Sequence, residues 1–110
     1  MNVGTDILYI ERLTNILEKN KSFINKVFTK KEIEIANNYT NPINFYATRF
    51  AAKEAIIKAT NGKYDFKEIE ILKEKSGKPL PKIINNNNIN IKLSLSYDKD
   101  YVVAFAIVLD

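Results

Sequence analysis

The spacing of hydrophobic residues along the chain predicts helices in the first half and strands in the second. Apolar residues recur at a helical period after residue 6, which predicts a first helix from Ile7 to about Lys19. The segment before it, NVGTDI, is expected to form a brief strand or turn that ends near Asp6. The next segment, KSFINKVFT, is expected to be a short helical piece or a loop.

Two further helices are predicted from their end signals. Thr29 followed by Glu32 is a capping-box pattern, so a helix should begin there and run to about Asn38. Pro42 suits the first turn of the next helix, which is expected to continue to Thr60. The dipeptide NG that follows is expected to supply a left-handed C-terminal cap.

The second half of the chain alternates between apolar and polar residues, as strands do. In FKEIEILKE the isoleucines face one side, and Glu68 and Glu70 are expected on the other. LPKII suits a short edge strand because Pro81 lacks a ladder donor, and INIKLSLSY alternates throughout. YVVAFAIVL is apolar at nearly every position, which predicts a central strand buried on both faces. We therefore expect one α+β domain over residues 1–110, with helices packed on a small antiparallel sheet.

Composition narrows the chemistry that this domain can perform. The 110 residues include no cysteine and no histidine, which removes thiol chemistry, the commonest general base and the usual zinc ligand. A bound metal would be a hard cation such as Mg²⁺, held by carboxylates. No apolar run approaches the roughly 20 residues that span a bilayer, and the N-terminus has no signal-peptide pattern, so a cytoplasmic protein is expected. The net charge of +4 suits an anionic partner.

The predicted central helix contains RFAAKEAIIKA, in which four charges lie among small residues. Glu54 and Lys58 fall on one strip together with alanines, whereas Arg49 and Lys53 project from another side. One interpretation is a surface ion pair between Glu54 and Lys58. The other is a metal–phosphate site, in which the carboxylate holds Mg²⁺, the cations hold phosphate oxygens and the alanines leave room for the ligand.

A metal site of this kind requires a second carboxylate, and Asp6 is the best candidate. It follows Gly4, where the backbone can approach a ligand closely. The alternative is that Asp6 is only the N-cap of the helix predicted to start at Ile7.

Five motifs carry a resemblance to a known family. In order, they are VGTDILYIERL, FINKVFTKKE, ATRFAAKEAIIKA, ILKEKSGKP and IKLSLSYDKDYVVAFAIV. Their order and spacing resemble those of the holo-acyl-carrier-protein synthases, the small stand-alone 4′-phosphopantetheinyl transferases. The resemblance covers nearly the whole chain.

The resemblance implies an enzyme of fatty acid biosynthesis. Such enzymes transfer the phosphopantetheine arm of coenzyme A to a serine of apo acyl carrier protein and release adenosine 3′,5′-bisphosphate. It further implies a homotrimer with active sites between subunits, without nucleic-acid or membrane partners. Asp6 and Glu54 would hold Mg²⁺, Lys58 would face the reacting phosphates, and Arg12 would contact the carrier protein. The serine proton could pass to a metal-bound water or to a carboxylate.

Further positions are expected near coenzyme A on the same grounds. Arg49 and Lys53 are assigned either to the 3′-phosphate or to the subunit interface. The remaining expected contacts are Lys58, Gly62, Lys78, Pro79, Ser96 and Tyr97. The alternative for Gly62 is an ordinary helix cap, and for Lys78 and Pro79 an ordinary turn.

One departure from the family pattern concerns the strand that reads S-x-S-H in many members and SLSY here. Tyr97 cannot act as a base near neutral pH, so the chemistry cannot depend on a histidine at this position. The missing histidine leaves an inactive structural relative as one alternative to the transferase. A small basic nucleic-acid-binding module is another. The second would require aromatic and basic residues interleaved on an exposed sheet face, and INIKLSLSY lacks that pattern.

Overall fold

The structure, a computed structural model, describes residues 1–109. Within this range the chain forms five strands, four α-helices and one 3₁₀ turn at Phe66–Glu68. In chain order the elements are β1 (Asn2–Tyr9), α1 (Ile10–Lys19), α2 (Phe23–Val27), α3 (Lys30–Ala36), α4 (Ile43–Ala59), β2 (Ile69–Lys73), β3 (Pro79–Ile83), β4 (Asn90–Asp98) and β5 (Tyr101–Leu109).

The strands form two antiparallel sheets rather than the single sheet expected. The larger sheet has the order β1-β5-β4, and the smaller one pairs β2 with β3. Helix α4 packs across one face of the larger sheet, against β1 and β5. The predicted α+β class is confirmed.

The boundary between the first strand and the first helix differs from the prediction. Strand β1 continues to Tyr9, and α1 begins at Ile10, where the backbone N–H donates to Asp100 O at 2.7 Å. Asp6 lies inside β1 opposite Ala104 and is therefore not a helix N-cap. Pairing with β5, which lies about a hundred residues away in sequence, extends the strand over positions that also fit a helical period.

The end signals of α3 and α4 are confirmed. The Thr29 hydroxyl accepts from the Glu32 N–H, and the Glu32 carboxylate accepts from the Thr29 N–H. After α4, Asn61 and Gly62 both have positive φ, and the Gly62 N–H donates to Ile57 O at 2.9 Å. This is the expected left-handed cap. Helix α3 ends at Ala36, slightly before the predicted end.

Gly4 lies directly against the backbone of α4. A β-carbon built on Gly4 would lie 2.1 Å from Ala55 O and 2.7 Å from Ala59 N. The prediction that this glycine admits a ligand is wrong, because the space is filled by the helix backbone. The alanines of α4 are likewise fully buried against the sheet, so they serve close packing rather than ligand space.

Strand β5 is central, but only one of its faces is buried. Val102, Ala104 and Ala106 face α4 and are buried, whereas Val103 and Phe105 are 38% and 41% exposed on the opposite face. In β2, Glu70 is buried instead of facing solvent. It accepts a hydrogen bond from the Thr29 hydroxyl at 2.6 Å, which satisfies its carboxylate beneath α3.

Candidate functional site

Strand β1 and the C-terminal half of α4 bring together Asp6, Glu54 and Lys58. The Lys58 ammonium donates to Asp6 Oδ1 at 3.3 Å and to Thr5 O at 2.9 Å. The Lys58 side chain is 55% exposed, so its ammonium is accessible from solvent. The expected surface pair between Glu54 and Lys58 is replaced by the pair between Asp6 and Lys58, because β1 reaches the same strip of the helix.

Both carboxyl groups of this cluster are harder to ionise than usual. Burial raises the pKa of Asp6, and the nearby Lys58 and Arg12 partly oppose that effect. Burial likewise raises the pKa of Glu54, and the negative charge of Asp6 raises it further, against a lowering effect of Lys58. The two carboxylates are thus close enough to repel each other, and a cation beside both would relieve that repulsion.

The donor set of the cluster fits Mg²⁺. Over residues 1–109, no group of three or more Asp, Glu, His or Cys side chains is arranged to hold a metal. A pair of carboxylates nevertheless suits Mg²⁺, which takes oxygen ligands and completes its shell with substrate phosphates and water. Asp6 and Glu54 are the residues that would hold the ion.

Lys53 lies outside any ligand-accessible site. Its side chain is fully buried, and its ammonium contacts Glu32 Oε1 at 2.6 Å, Val27 O at 2.8 Å and Phe66 O at 3.1 Å. Glu32 Oε2 also accepts from the Ile71 N–H at 2.8 Å. The expectation that Lys53 contacts coenzyme A or a subunit interface does not agree with this placement. The pair instead joins α3, α4 and β2 inside the core.

Four other predicted residues line one cavity of about 620 Å³ between α4, β4 and the turn that joins β2 to β3. They are Arg49, Lys78, Pro79 and Tyr97. Ser96 belongs to β4 but, by strand alternation, faces the opposite side of the sheet from Tyr97. Gly62 lies at the C-terminal cap of α4 and does not line the cavity.

The carboxylate cluster and the cavity are separate regions, at opposite edges of the larger sheet and on different sides of α4. Asp6 is on β1 and Tyr97 is on β4, the two edge strands, which are about 9.5 Å apart across β5. Arg49 and Glu54 are five residues apart on α4, which places them about 140° apart around its axis. None of Asp6, Glu54 and Lys58 lines the cavity.

Arg12 lies on the exposed surface of α1, near the carboxylate cluster. Its charge lowers the pKa of Asp6, so the guanidinium lies within electrostatic range of that group. A cation at this place suits an acidic macromolecule approaching the cluster.

The sequence matches the model of the 4′-phosphopantetheinyl transferase superfamily over residues 2–106. The chain belongs to this superfamily. It is 42% identical to the holo-[acyl-carrier-protein] synthase of Wolbachia pipientis subsp. Culex pipiens, over 96% of this chain and 94% of that protein. It is 41% identical to the protein of the same name from Ehrlichia canis, over 98% and 93%. The resemblance found in the motifs is confirmed.

Solved structures of the superfamily have the same fold. The holo-[acyl-carrier-protein] synthase of Neisseria meningitidis aligns with a TM-score of 0.90 and 29% identity, over 99% of this chain and 98% of that one. The Bacillus anthracis synthase, solved in complex with CoA (3′,5′-ADP), aligns with a TM-score of 0.86 and 30% identity, over 97% and 94%. These matches favour the transferase over a nucleic-acid-binding module. In the part of the chain that is described, no helix has the length and apolar character to cross a membrane.

Sequence reasoning missed several residues that line the cavity and one ion pair in the core. Tyr39 and Asn44 line the cavity but lie in none of the five motifs, and Lys73 lines it although it was not singled out within ILKEKSGKP. Glu32 was recognised as a capping residue, yet its ion pair with Lys53 was not, because residues 21 positions apart on separate helices leave no periodic signal.

Proposed function

We propose that this protein is a holo-acyl-carrier-protein synthase. It transfers the 4′-phosphopantetheine arm of coenzyme A to a serine of apo acyl carrier protein and releases adenosine 3′,5′-bisphosphate. The observation that carries the proposal is the meeting of Asp6, Glu54 and Lys58 at the junction of β1 and α4, in a member of the phosphopantetheinyl transferase superfamily.

Mg²⁺ dependence is supported by the two carboxylates. Asp6 and Glu54 offer hard oxygen ligands whose mutual repulsion a dication would remove. When bound there, Mg²⁺ would neutralise charge on the pyrophosphate of coenzyme A. Phosphoryl transfer relies mainly on such neutralisation and on positioning, so this site does not require a histidine.

Lys58 is suited to bind the reacting phosphates. Its ammonium is held at the cluster by Thr5 O and Asp6 Oδ1 while remaining half exposed. A phosphate oxygen can take up the remaining donor capacity of the ammonium, which stabilises negative charge on the leaving group. Arg12, beside the same cluster, would contact the acidic carrier protein that brings the serine.

Assembly into a homotrimer is supported by an apolar outer face of the larger sheet. The exposed side chains of this face are Val3, Ile7, Tyr101, Val103 and Phe105. Contiguous apolar surface of this kind usually marks an interface. Association through it would also explain why the carboxylate cluster and the cavity lie apart on one chain: two neighbouring subunits would each contribute one part to a shared active site.

The remaining predicted contacts fit this arrangement in different ways. Lys78, Pro79 and Tyr97 would border the nucleotide in the cavity. Gly62 follows Lys58 at the end of α4 and would act near the carboxylate cluster, whereas Ser96 faces the apolar outer surface and would act near the interface. We place the enzyme in the cytoplasm, in agreement with a chain that has no cysteine.

Incubation with coenzyme A, Mg²⁺ and apo acyl carrier protein tests the proposal. Intact-mass spectrometry of the carrier protein is expected to show the gain of one phosphopantetheine group. No gain at any Mg²⁺ concentration would contradict the proposed function.

A further inference from the structure

The buried ion pair between Glu32 and Lys53 takes no part in the proposed chemistry. Both side chains are fully buried, and the Lys53 ammonium contacts Glu32 Oε1 at 2.6 Å. The other two donors of this ammonium go to Val27 O at 2.8 Å and Phe66 O at 3.1 Å. Removing two charges from water costs solvation energy, which a buried pair offsets only when further hydrogen bonds satisfy both groups. The groups that satisfy the pair are therefore held in fixed positions.

Glu32 takes the place of a neighbouring strand at one edge of β2. The smaller sheet has two strands, so one edge of β2 is not paired with a strand. At that edge the Ile71 N–H donates to Glu32 Oε2 at 2.8 Å. The preceding side chain, Glu70, accepts from the Thr29 hydroxyl at 2.6 Å. Two hydrogen bonds thus hold β2 against the N-terminal end of α3.

The Glu32 carboxylate connects three elements at once. It accepts from the Thr29 N–H at the start of α3, from the Ile71 N–H of β2 and from Lys53 of α4. An apolar side chain of the same size would fill the space but would leave the Ile71 N–H without a partner. The ion pair therefore sets the position of β2 relative to α4.

Strand β2 leads directly into one wall of the cavity. The residues of this segment that line the cavity are Ile71, Lys73, Gly77, Lys78 and Pro79. Within the turn, the Glu74 N–H donates to Lys78 O and the Gly77 N–H donates to Glu74 O, both at 2.9 Å. Helix α4 lines the same cavity through its first turns. A shift of β2 relative to α4 would therefore change the width of the cavity.

We propose that Glu32 and Lys53 are positioning residues for nucleotide binding, and that their ion pair sets the distance between α4 and the turn of residues 74–78. This role rests on the proposed function, in which the cavity holds the nucleotide of coenzyme A. Neither side chain touches the ligand, because both are fully buried and neither lines the cavity. They act through Ile71, whose N–H is bound by Glu32. Binding groups must be held within about 0.5 Å of their productive geometry, so a displaced turn weakens binding in a protein that is still folded.

Calorimetric titration with adenosine 3′,5′-bisphosphate tests the role, at a temperature where every variant is fully folded. Glu32→Met and Lys53→Met should each bind the bisphosphate roughly 10-fold more weakly than the wild type. The double variant should lose no more than either single one, because the two side chains form one link between β2 and α4. Wild-type affinity in the folded double variant would overturn the positioning role.

Val108→Ala is the control for a general loss of stability. Val108 is buried in β5, six residues and about 20 Å along the strand from Val102, which lines the cavity. The substitution should lower the melting temperature by leaving a void in the core, and the affinity for the bisphosphate should stay at the wild-type value. If Val108→Ala weakens binding as much as the pair variants at an equal loss of stability, the effect of the pair is structural only.

Amide hydrogen exchange without ligand locates the effect in the chain. In the double variant, exchange should become faster over residues 71–77, because the Ile71 N–H loses its acceptor and the turn loses its anchor. Exchange in β5 should remain as in the wild type. Unchanged exchange over residues 71–77, or an equal increase throughout the chain, would contradict the role.

The two proposals fail in different experiments. If the pair variants bind the bisphosphate like the wild type, while the wild type modifies apo acyl carrier protein, only the positioning role is wrong. If the pair variants bind it more weakly but the wild type transfers nothing, the positioning of a nucleotide site stands and the proposed function is wrong. A wild type that does not bind the bisphosphate would overturn the nucleotide site and the positioning role with it.

Discussion

Ionised Glu54 costs free energy in the metal-free protein, and under the proposed function the same carboxylate holds Mg²⁺. Burial and the charge of Asp6 both disfavour its ionised form. Glu54→Gln is therefore expected to abolish transfer while leaving the fold intact, because it removes one of the two carboxylates proposed to hold Mg²⁺. In thermal unfolding assays, Mg²⁺ should stabilise the wild type and not the variant. If Mg²⁺ stabilises both equally, Glu54 is not a ligand.

The pH dependence of stability follows from the direction of the same shift. Because the pKa of Glu54 is raised, the folded protein retains this proton at pH values where the unfolded chain has lost it. Without metal, stability should therefore fall as the pH rises from the ordinary value of 4.5 through the raised one. Glu54→Gln lacks this contribution, so the two proteins should be equally stable below pH 4.5 and should diverge above it, in favour of the variant.

The difference between Arg49 and Lys53 illustrates what single-residue reasoning can miss. Both lie on the same side of α4, and the sequence gives them the same pair of possible roles. Lys53 meets Glu32 in the core, whereas Arg49 meets an aromatic ring and a cavity. That difference comes from α3 and from the 74–78 turn, neither of which is close to these residues in sequence.

At the scale of elements, the contact between β1 and α4 sets the geometry of the carboxylate cluster. Gly4→Ala would place a methyl group 2.1 Å from Ala55 O, so strand and helix must move apart. The expected cost is about 1–3 kcal/mol, typical of overpacking. Because Asp6 and Glu54 lie on these two elements, the Mg²⁺ concentration needed for thermal stabilisation and for transfer should rise.

Gly62→Ala is the matched control for this substitution. Gly62 has φ +76°, but a β-carbon there meets no atom within 4 Å. The alanine should cost about 1 kcal/mol from backbone strain and leave the Mg²⁺ concentration needed for thermal stabilisation unchanged. An unchanged Mg²⁺ requirement in Gly4→Ala would show that the close contact does not determine the carboxylate spacing.

Element boundaries were predictable wherever the signal is local. The Thr29–Glu32 capping box and the cap at Gly62 involve hydrogen bonds within a few residues, and both form as expected. The start of α1 was misplaced because β1 is stabilised by β5, at the other end of the chain. Where an apolar pattern suits both a helix and a strand, pairing with a distant segment decides which of the two forms.

At the scale of the whole molecule, the apolar outer face of the larger sheet is the surface that the proposed trimer would bury. Phe105→Lys is expected to convert the proposed trimer into monomers, because it places a charge at the centre of an apolar interface. Sedimentation velocity would show the change in mass, and transfer activity should fall with it if active sites lie between subunits.

Asn38→Lys is the control for Phe105→Lys, because it adds one positive charge at an exposed position between α3 and α4. It should leave the sedimenting mass and the transfer activity unchanged. A wild-type protein that sediments as a monomer would contradict both the trimer and its shared sites.

The sequence by itself determined the α+β class, the N-cap of α3, the C-terminal cap of α4, the alternation of β4 and the family, because these depend on local periodicity or on motifs of a few residues. It also marked Asp6, Glu54 and Lys58 as a candidate group. Only the tertiary structure decided that Lys58 pairs with Asp6, that Gly4 serves helix packing, and that Arg49 faces a cavity while Lys53 does not. Those outcomes depend on which distant segments come into contact, and burial and charge at each site follow from these contacts.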